Sequence, residues 1–356
     1  MVENMTNHAL IVGATGIAGS NLAEHLLEMG GWEISGLSRS QSPIAAVKTL
    51  SCDLTDAASV ATALEGVSPT HVFITAWSRQ ETEEENCKVN GAIVRNVLDA
   101  LRGRGVRHVA LVTGTKHYLG PFEAYAKVAP QTPFREEQER LPNQNFYYVQ
   151  EDQIFEAAAR EHFTWSVHRP HTLIGYAVGN AMNMAATLGV YASICKETGM
   201  PFVFPGSAEQ WQAATDVTDA RILADQLAWA ATTPAAADTA FNVVNGDIFR
   251  WKWLWPRIAA YFGIEAADYP GTPQPLEAKM ADAAPIWDAL VQKHGLKPNA
   301  LSRVASFWHT DADLGRQVET FNDMGRSRKA GFLSYQDTTA SFTDAFDRLR
   351  ADRIIP

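Results

Sequence analysis

Residues Ala9 to Leu27 constrain the fold more than any other stretch of the chain. An apolar run, Ala9 to Val12, leads into glycines at Gly13, Gly16 and Gly19, and Leu22, Leu26 and Leu27 then recur at helical spacing. A short apolar run without polar alternation fits a strand buried on both faces of a parallel sheet. In the order strand, glycine turn, helix, each glycine has a task. Gly13 makes the tight turn, Gly16 lets the backbone approach a pyrophosphate, and Gly19 lets the helix pack closely on the strand. With Thr15 and Ile17 in the turn, the helix N-terminus offers free N–H groups to phosphate oxygens. The spacing is G-x-x-G-x-x-G rather than G-x-G-x-x-G. Three glycines alone also suit an ordinary strand-to-helix turn; the flanking strand and helix point to a dinucleotide.

The same rhythm continues. Strands are expected at Trp32–Leu37, Thr49–Cys52, His71–Ala76, His108–Thr113 and Trp165–His168, the last stopped by Arg169-Pro170. Helical spacing covers Val60 to Leu64, Glu83 to Leu101 and Phe146 to about Arg160. Strands alternating with helices imply a Rossmann-type doubly wound parallel α/β sheet. Beyond Pro170 the rhythm changes: Asn183–Cys195 and Asp219–Ala230 read as helices, Phe202–Pro205 as a short extended piece and Phe241–Val244 as a strand. From Gly246 onward come tryptophans, prolines and short helices, and Phe342, Ala345, Phe346 and Leu349 mark a terminal amphipathic helix. The expected division is a dinucleotide-binding domain at 1–175, completed by parts of 213–245. A smaller, mostly helical substrate lobe follows at 176–212 and 246–335, with a C-terminal helix at 336–356.

Composition narrows the partners. A net charge of −10 with no basic run argues against nucleic acid or an anionic membrane surface. No stretch reaches the roughly 18 consecutive apolar residues of a membrane span, and the polar start, Met1 to His8, lacks a signal core. Three scattered cysteines, Cys52, Cys87 and Cys195, suggest a reducing compartment, so a soluble cytoplasmic protein is expected. The ten histidines show no helical pair and no cysteine cluster, so no metal is expected. His108 and His168 read as structural, and the Asp-Leu-Thr-Asp run from Asp53 to Asp56 as helix capping.

The end of the second strand discriminates between cofactors. An NAD site usually carries an acidic residue there for the ribose hydroxyls. This chain has Ser38-Arg39-Ser40, and a guanidinium can pair with a 2′-phosphate that a carboxylate would repel. NADP or NADPH is therefore favoured over NAD. Thr75-Ala76-Trp77 ends the fourth strand beside the cofactor's middle. After the fifth strand, Thr113-Gly114-Thr115-Lys116-His117-Tyr118 sets a lysine just past a carboxyl end, where side chains reach the ligand crevice. There Lys116 can hold the nicotinamide ribose or polarise a substrate oxygen. Asn145-Phe-Tyr-Tyr-Val-Gln-Glu-Asp152 supplies tyrosines, but the place four residues on holds Glu151 or Asp152, not the lysine of Tyr-x-x-x-Lys. Read alone, that fits an inactive or purely binding protein.

Taken together and in order, several segments resemble the progesterone 5β-reductase/iridoid synthase-like family of short-chain dehydrogenases. They are Gly13-x-x-Gly16-x-x-Gly19, Thr75-Ala76-Trp77, Thr113-Gly-Thr-Lys116-His-Tyr, Asn145-Phe-Tyr-Tyr-x-x-Glu-Asp152 and Ser166-Val-His-Arg-Pro170. Val190-Tyr-Ala-Ser-Ile-Cys-Lys196, Phe241-Asn-Val-Val-Asn-Gly-Asp247 and Arg250-Trp-Lys-Trp253 extend the match over nearly the whole chain. The resemblance implies an extended, atypical short-chain dehydrogenase that uses NADPH for 1,4-reduction of an enone or enal C=C bond. Hydride adds to the β-carbon and charge collects on the carbonyl oxygen, where a donor stabilises the transition state most. The family gives that donor role to Tyr147 and draws its lysine, Lys116, from the fifth strand. On bare spacing Tyr148 competes, because Glu156 falls eight residues after it. Asp53-Leu54 would bracket the adenine, as in short-chain dehydrogenases, and Pro170 and Thr172 complete the cofactor-binding set.

Two departures from the family concern specificity. His171-Thr172 stands where Gly-Asn is frequent, and Phe307-Trp308-His309 puts a histidine at the place expected to face inward. Tyr118, Phe122, Met182, Met184 and His309 are the candidate pocket walls. The alternatives are a carbonyl reductase or nucleotide-sugar epimerase of the extended type, or a non-catalytic NADP sensor. The expected partner is a small-molecule enone or enal, with room for a homodimer.

Overall fold

The computed structural model describes residues 6–121, 130–179 and 182–356. Seven strands form one parallel sheet: β1 (Asn7–Val12), β2 (Trp32–Ser38), β3 (Lys48–Ser51), β4 (His71–Ile74), β5 (His108–Val112), β6 (Thr164–Pro170) and β9 (Thr239–Val243). Their order is β3-β2-β1-β4-β5-β6-β9, so the winding reverses between β1 and β4. In an open α/β sheet, ligands occupy the crevice at the carboxyl ends of the strands flanking such a reversal. A separate two-stranded parallel ladder joins β7 (Leu173–Ile174) to β8 (Thr218–Asp219).

The central strands β1, β4 and β5 are mostly buried and apolar because both faces are covered, and successive side chains point to opposite faces. Ala9 and Ile11 pack with Leu22 and Leu26 of α1 (Ile17–Met29) and with residues 222–228. Leu10 and Val12 turn the other way, toward Val60 of α2 (Ala57–Ala63), Val94 and Val97 of α3 (Glu83–Ala100), and a later helix through Ile154. His168 and His108 lie within the sheet. His168 bonds Gln226 Oε1 at 2.8 Å and Ser166 Oγ at 2.9 Å, and His108 bonds Thr164 and Ser166, each at 2.9 Å.

Strand β6 runs two residues further than expected and carries Arg169 and Pro170. Proline has no N–H for a ladder, but at the last position of a strand it needs none. Its carbonyl accepts from Thr115 N at 3.1 Å, which ties the end of β6 to the segment after β5. That segment is itself a helical turn, α4 (Lys116–Leu119), followed by α5 (Phe146–Glu161).

A second core is built from α6 (Met184–Thr198), with Asn183 as its N-cap, and the helices after it. In chain order these are α7 (Ala208–Gln212), α8 (Ala220–Thr232, which covers the sheet), α9 (Trp251–Phe262), α10 (Leu276–Lys279), α11 (Ala284–His294), α12 (Leu301–Val304), α13 (Phe307–Leu314), α14 (Gly325–Lys329, which packs on β9 of the sheet) and α15 (Thr338–Ala351). Trp255, Trp287, Phe202 and Phe204 centre this core. Phe342, Phe346 and Leu349 of α15 are buried in it, so the terminal helix is an integral part of the second core.

Candidate active site

The crevice begins at the glycine turn. Gly13 has φ +92°, and a Cβ there would lie 2.9 Å from Ala76 Cβ. A Cβ on Gly19 would sit 2.3 Å from the Gly13 carbonyl, so only glycine lets α1 start this close to β1. Gly16 is the N-cap of α1, contributes no side-chain cap, and no acidic residue occupies the first turn. By contrast, Asp56, Thr82, Asn145 and Asn183 each cap their own helix with a side-chain oxygen. The first-turn N–H groups of α1 are therefore left uncapped by any side chain, in a cradle that a Cβ would fill. That suits a diphosphate. Thr15 is half-buried in the turn and Ile17 buried beneath it.

At the end of β2, Ser38 is buried and donates to the Ser40 carbonyl at 2.6 Å, while Arg39 and Ser40 are exposed. Asp53 lies nearby on the surface, with Oδ1 taken by the amide and hydroxyl of Thr55 at 2.9 and 2.7 Å. Those bonds, with a smaller contribution from Arg39, hold its carboxyl below the usual range. The helix cap in this run is Asp56, which accepts from Ala58 N at 2.9 Å. Leu54 packs half-buried against the sheet core. Thr75 turns its hydroxyl back to the Val12 carbonyl at 2.8 Å, which ends β4 and pins it to β1 beside the crevice. Trp77 is 41% exposed and stacks on Phe146 at 5.6 Å.

Past β5, Lys116 is buried. Its Nζ donates to Glu83 Oε2 at 2.5 Å and lies 4.5 Å over the Phe146 ring. Its carbonyl accepts from Asn145 Nδ2 at 3.0 Å. The two tyrosines of α5 differ. Tyr148 is buried; its hydroxyl donates to the His117 carbonyl at 2.7 Å and accepts from Leu141 N at 3.0 Å. Burial raises its pKa. Tyr147 is half-buried, and its hydroxyl lies 3.1 Å from where a Gly114 Cβ would be, with the Pro170 carbonyl 3.3 Å from the same point. Gly114 thus leaves room for the phenol beside the end of β6. Thr113 is buried and bonds the His168 carbonyl through its amide at 2.8 Å and its hydroxyl at 3.3 Å.

The position four residues after Tyr147 holds Glu151, and its role differs from that of a lysine. It is buried, accepts from Arg140 at 2.8 Å and Arg169 at 3.4 Å, and faces His117 Nδ1 at 3.6 Å. Burial opposes its ionisation, but His117 and the two guanidinium groups outweigh that and bring its pKa to about 2. This place on α5 is thus committed to a buried ion cluster, while Lys116 stands on α4.

Beyond β6, His171 is buried between two partners. Arg316 Nη1 donates to Nε2 at 2.6 Å, so the proton sits on Nδ1 and is donated to Asp216 Oδ1 at 2.7 Å. Arg316 pairs with Asp313, whose other oxygen accepts from the Thr172 hydroxyl at 3.0 Å. Thr172, expected at the cofactor, thus has its hydroxyl engaged with the second core. His309 lies one helical turn before Asp313 on α13. Burial lowers its pKa, Asp313 opposes that, and Arg316 and Arg79 add to it; its Nδ1 has no hydrogen-bond partner. The neighbouring Trp308 lies 3.7 Å under Arg79, just past β4, so α13 closes over the carboxyl ends of β4 and β6.

The other expected walls fare differently. Tyr118 is a correction: it is packed inside, stacked on Phe134 at 4.8 Å. Its hydroxyl donates to Asn242 at 2.6 Å and accepts from Arg169 at 3.2 Å, and burial pushes its pKa to about 12. Met184 is buried in the second core, Met182 is half-buried, and Phe122 lies outside the described residues. Glu83 was not anticipated. Its run, Glu81 to Glu85 around Thr82, reads as a solvated helix start, and only the approach of α3 to α4 reveals its partner. Among the described residues no helix is long and apolar enough to cross a membrane, and no group of His, Cys, Asp or Glu could hold a metal.

A family model described as a PRISE-like Rossmann-fold domain matches residues 55–356. The chain is 39% identical to an (S)-8-oxocitronellyl enol synthase of Nepeta racemosa, over 99% of this chain and 94% of the relative. It is 40% identical to the 3-oxo-Delta(4,5)-steroid 5-beta-reductase of Arabidopsis thaliana, with the same coverage. Among solved structures, a UDP-glucose 4-epimerase of Thermotoga maritima superposes with TM-score 0.67 at 12% identity, over 97% of this chain and 99% of that one. The Bordetella bronchiseptica enzyme WbmH in complex with NAD+ superposes with TM-score 0.66 at 16% identity, over 97% and 98%. At such identities these two likenesses establish the fold alone.

Proposed function

The chain belongs to the PRISE-like Rossmann-fold family, and on that premise we propose that it reduces the activated C=C bond of enones or enals with NADPH. It is an oxidoreductase acting on a conjugated carbonyl compound. The residues that would hold NADPH are the turn from Gly13 through Thr15, Gly16, Ile17 and Gly19, Ser38-Arg39-Ser40 at the adenosine ribose, and Asp53 and Leu54 at the adenine. Thr75-Ala76-Trp77, Thr113, Gly114, Lys116, Tyr147, Pro170 and Thr172 would line its middle and nicotinamide end. When bound, NADPH supplies the hydride for the β-carbon.

The protein's own task is to stabilise the charge that grows on the carbonyl oxygen. We assign the donor to Tyr147. One observation carries this: Tyr147 is half-buried with its hydroxyl over Gly114, just past β5, whereas the hydroxyl of Tyr148 is used in both directions by backbone groups. A phenol aimed at the oxygen gains most as charge develops, because a preorganised donor needs no reorganisation then. Lys116, ion-paired with Glu83, would hold the nicotinamide ribose or polarise the same oxygen. The second core forms the lid through α13, with His309 as a polar wall. The free cysteines, Cys52, Cys87 and Cys195, support a reducing, cytoplasmic setting.

The test is a panel of cyclic and acyclic enones and enals followed by NADPH absorbance, with product identification. Saturated carbonyl products support the reading. Allylic alcohols would instead assign a carbonyl reductase, and tight NADPH binding without turnover of any enone would assign a sensor.

A further inference from the structure

Glu83 touches the reacting groups only through others, yet it bridges the two elements that carry them. One carboxylate oxygen accepts from Lys116 Nζ at 2.5 Å, and the other accepts from the backbone amide of Phe146 at 2.8 Å. Phe146 is the first residue of α5 and directly precedes Tyr147. Asn145 completes the bridge: its Oδ1 accepts from Tyr147 N at 3.1 Å while its Nδ2 donates to the Lys116 carbonyl at 3.0 Å. Lys116 is thus held at its ammonium by Glu83 and at its backbone by Asn145, and these same two side chains take the first two amides of α5. Glu83 is itself anchored as the first residue of α3, where an anion is favoured by the helix dipole.

We infer that Glu83 is a positioning residue of the reductase centre, setting Lys116 and Tyr147 relative to each other by clamping α3, α4 and α5 together; this rests on the function proposed above. The role needs a carboxylate. Both its oxygens accept, one from a cation and one from a helix-start amide, so an isosteric amide turns an N–H group toward one of those donors. Glu84 and Glu85, in the same first turn, are exposed and take no part in the clamp.

The experiment compares the parent with Glu83→Gln, Glu83→Asp and Glu84→Gln, each also in a Lys116→Met background, reading kcat and KM on an accepted enone, NADPH affinity by fluorescence, and thermal midpoint. The expected result is a fall in kcat of about tenfold or more for Glu83→Gln, with a smaller change in enone KM. Partial recovery is expected in Glu83→Asp, and no change in Glu84→Gln. Because Glu83 acts through Lys116, Glu83→Gln should cost little more once Lys116 is gone, in kcat and in NADPH affinity alike. Parent-like kcat in a folded Glu83→Gln, or losses that add fully in the Lys116→Met background, overturn the inference. Should Glu83→Gln not fold, Glu83→Asp decides on the same cycle. A parent inactive on every enone overturns the proposed function instead, and the NADPH-affinity cycle still judges the clamp.

Discussion

The hydroxyl of Tyr148 donates to the carbonyl of His117, 31 residues earlier, at 2.7 Å. That bond fixes α5 to α4 and removes Tyr148 from the crevice, leaving the phenol next to it in sequence to face Gly114. On the assignment proposed above, the two adjacent aromatic alcohols have separable tasks. Tyr147→Phe should lower kcat about a hundredfold or more on an accepted enone while the thermal midpoint barely moves. Tyr148→Phe should retain kcat within a few-fold but lose about 1–3 kcal/mol of stability, because the Leu141 amide and the His117 carbonyl lose their buried partner. Steady-state kinetics beside denaturant titration separates the two; the reverse pattern would exchange the roles.

Arg39 stands exposed at the end of β2, beside Ser38 and Ser40. If it reads a 2′-phosphate, Arg39→Ser should raise the KM for NADPH by about tenfold or more and leave that for NADH nearly unchanged, since one charge-assisted contact is worth roughly 1.5–3 kcal/mol. Equal changes for both cofactors would show that Arg39 does not discriminate between them.

His309 presents an unpartnered buried nitrogen on the helix that closes over the strand ends. Such a group favours a substrate able to supply a hydrogen bond and disfavours a wholly apolar one. His309→Phe should therefore shift kcat/KM toward apolar enones relative to hydroxylated or oxo-substituted ones by several-fold. A uniform change across the panel would remove His309 from the specificity determinants.

The buried histidines set an acid limit on stability. Burial lowers His168 to about 4; burial, helped by the neighbouring His168 and His71, lowers His108 to about 3. Unfolded, each titrates near 6.5. Below that pH the unfolded chain takes up protons that the folded one refuses. Stability is then full above pH 6.5 and falls as pH drops toward 4, by about 1.4 kcal/mol per unit for each histidine. Glu151 acts in a lower window: its depressed pKa of about 2 gives stability that is present above about 4.5 and is lost toward pH 2. Thermal midpoints measured from pH 7 to 4 should decline steeply in the parent and less steeply in His168→Asn. Parallel slopes would rule His168 out as a source of the decline.

Much of this was legible along the chain because it depends on neighbours in sequence. Gly13 and Gly19 had to be glycine for a turn lying within seven residues, and the apolar runs of the central strands announced a sheet covered on both faces. The place of Lys116 just past the carboxyl end of a strand was legible as well, and it opens α4 directly after β5. Tyr118 was misread because its stacking partner, Phe134, and its hydroxyl partner, Asn242, lie 16 and 124 residues away. The bond from the Thr172 hydroxyl to Asp313, 141 residues later, was equally illegible along the chain.

The sequence by itself determined the doubly wound sheet, the open glycine turn and the absence of a lysine from the tyrosine's own helix, since each follows from local spacing and side-chain type. Only the tertiary structure decided that Tyr148 is bonded to the backbone of α4, that Glu83 holds Lys116, and that Glu151 is locked in a buried ion cluster. Those outcomes depend on which charges and amides meet when α3, α4 and α5 pack together. Pairing between residues 33 or 63 positions apart leaves no periodic trace in the chain.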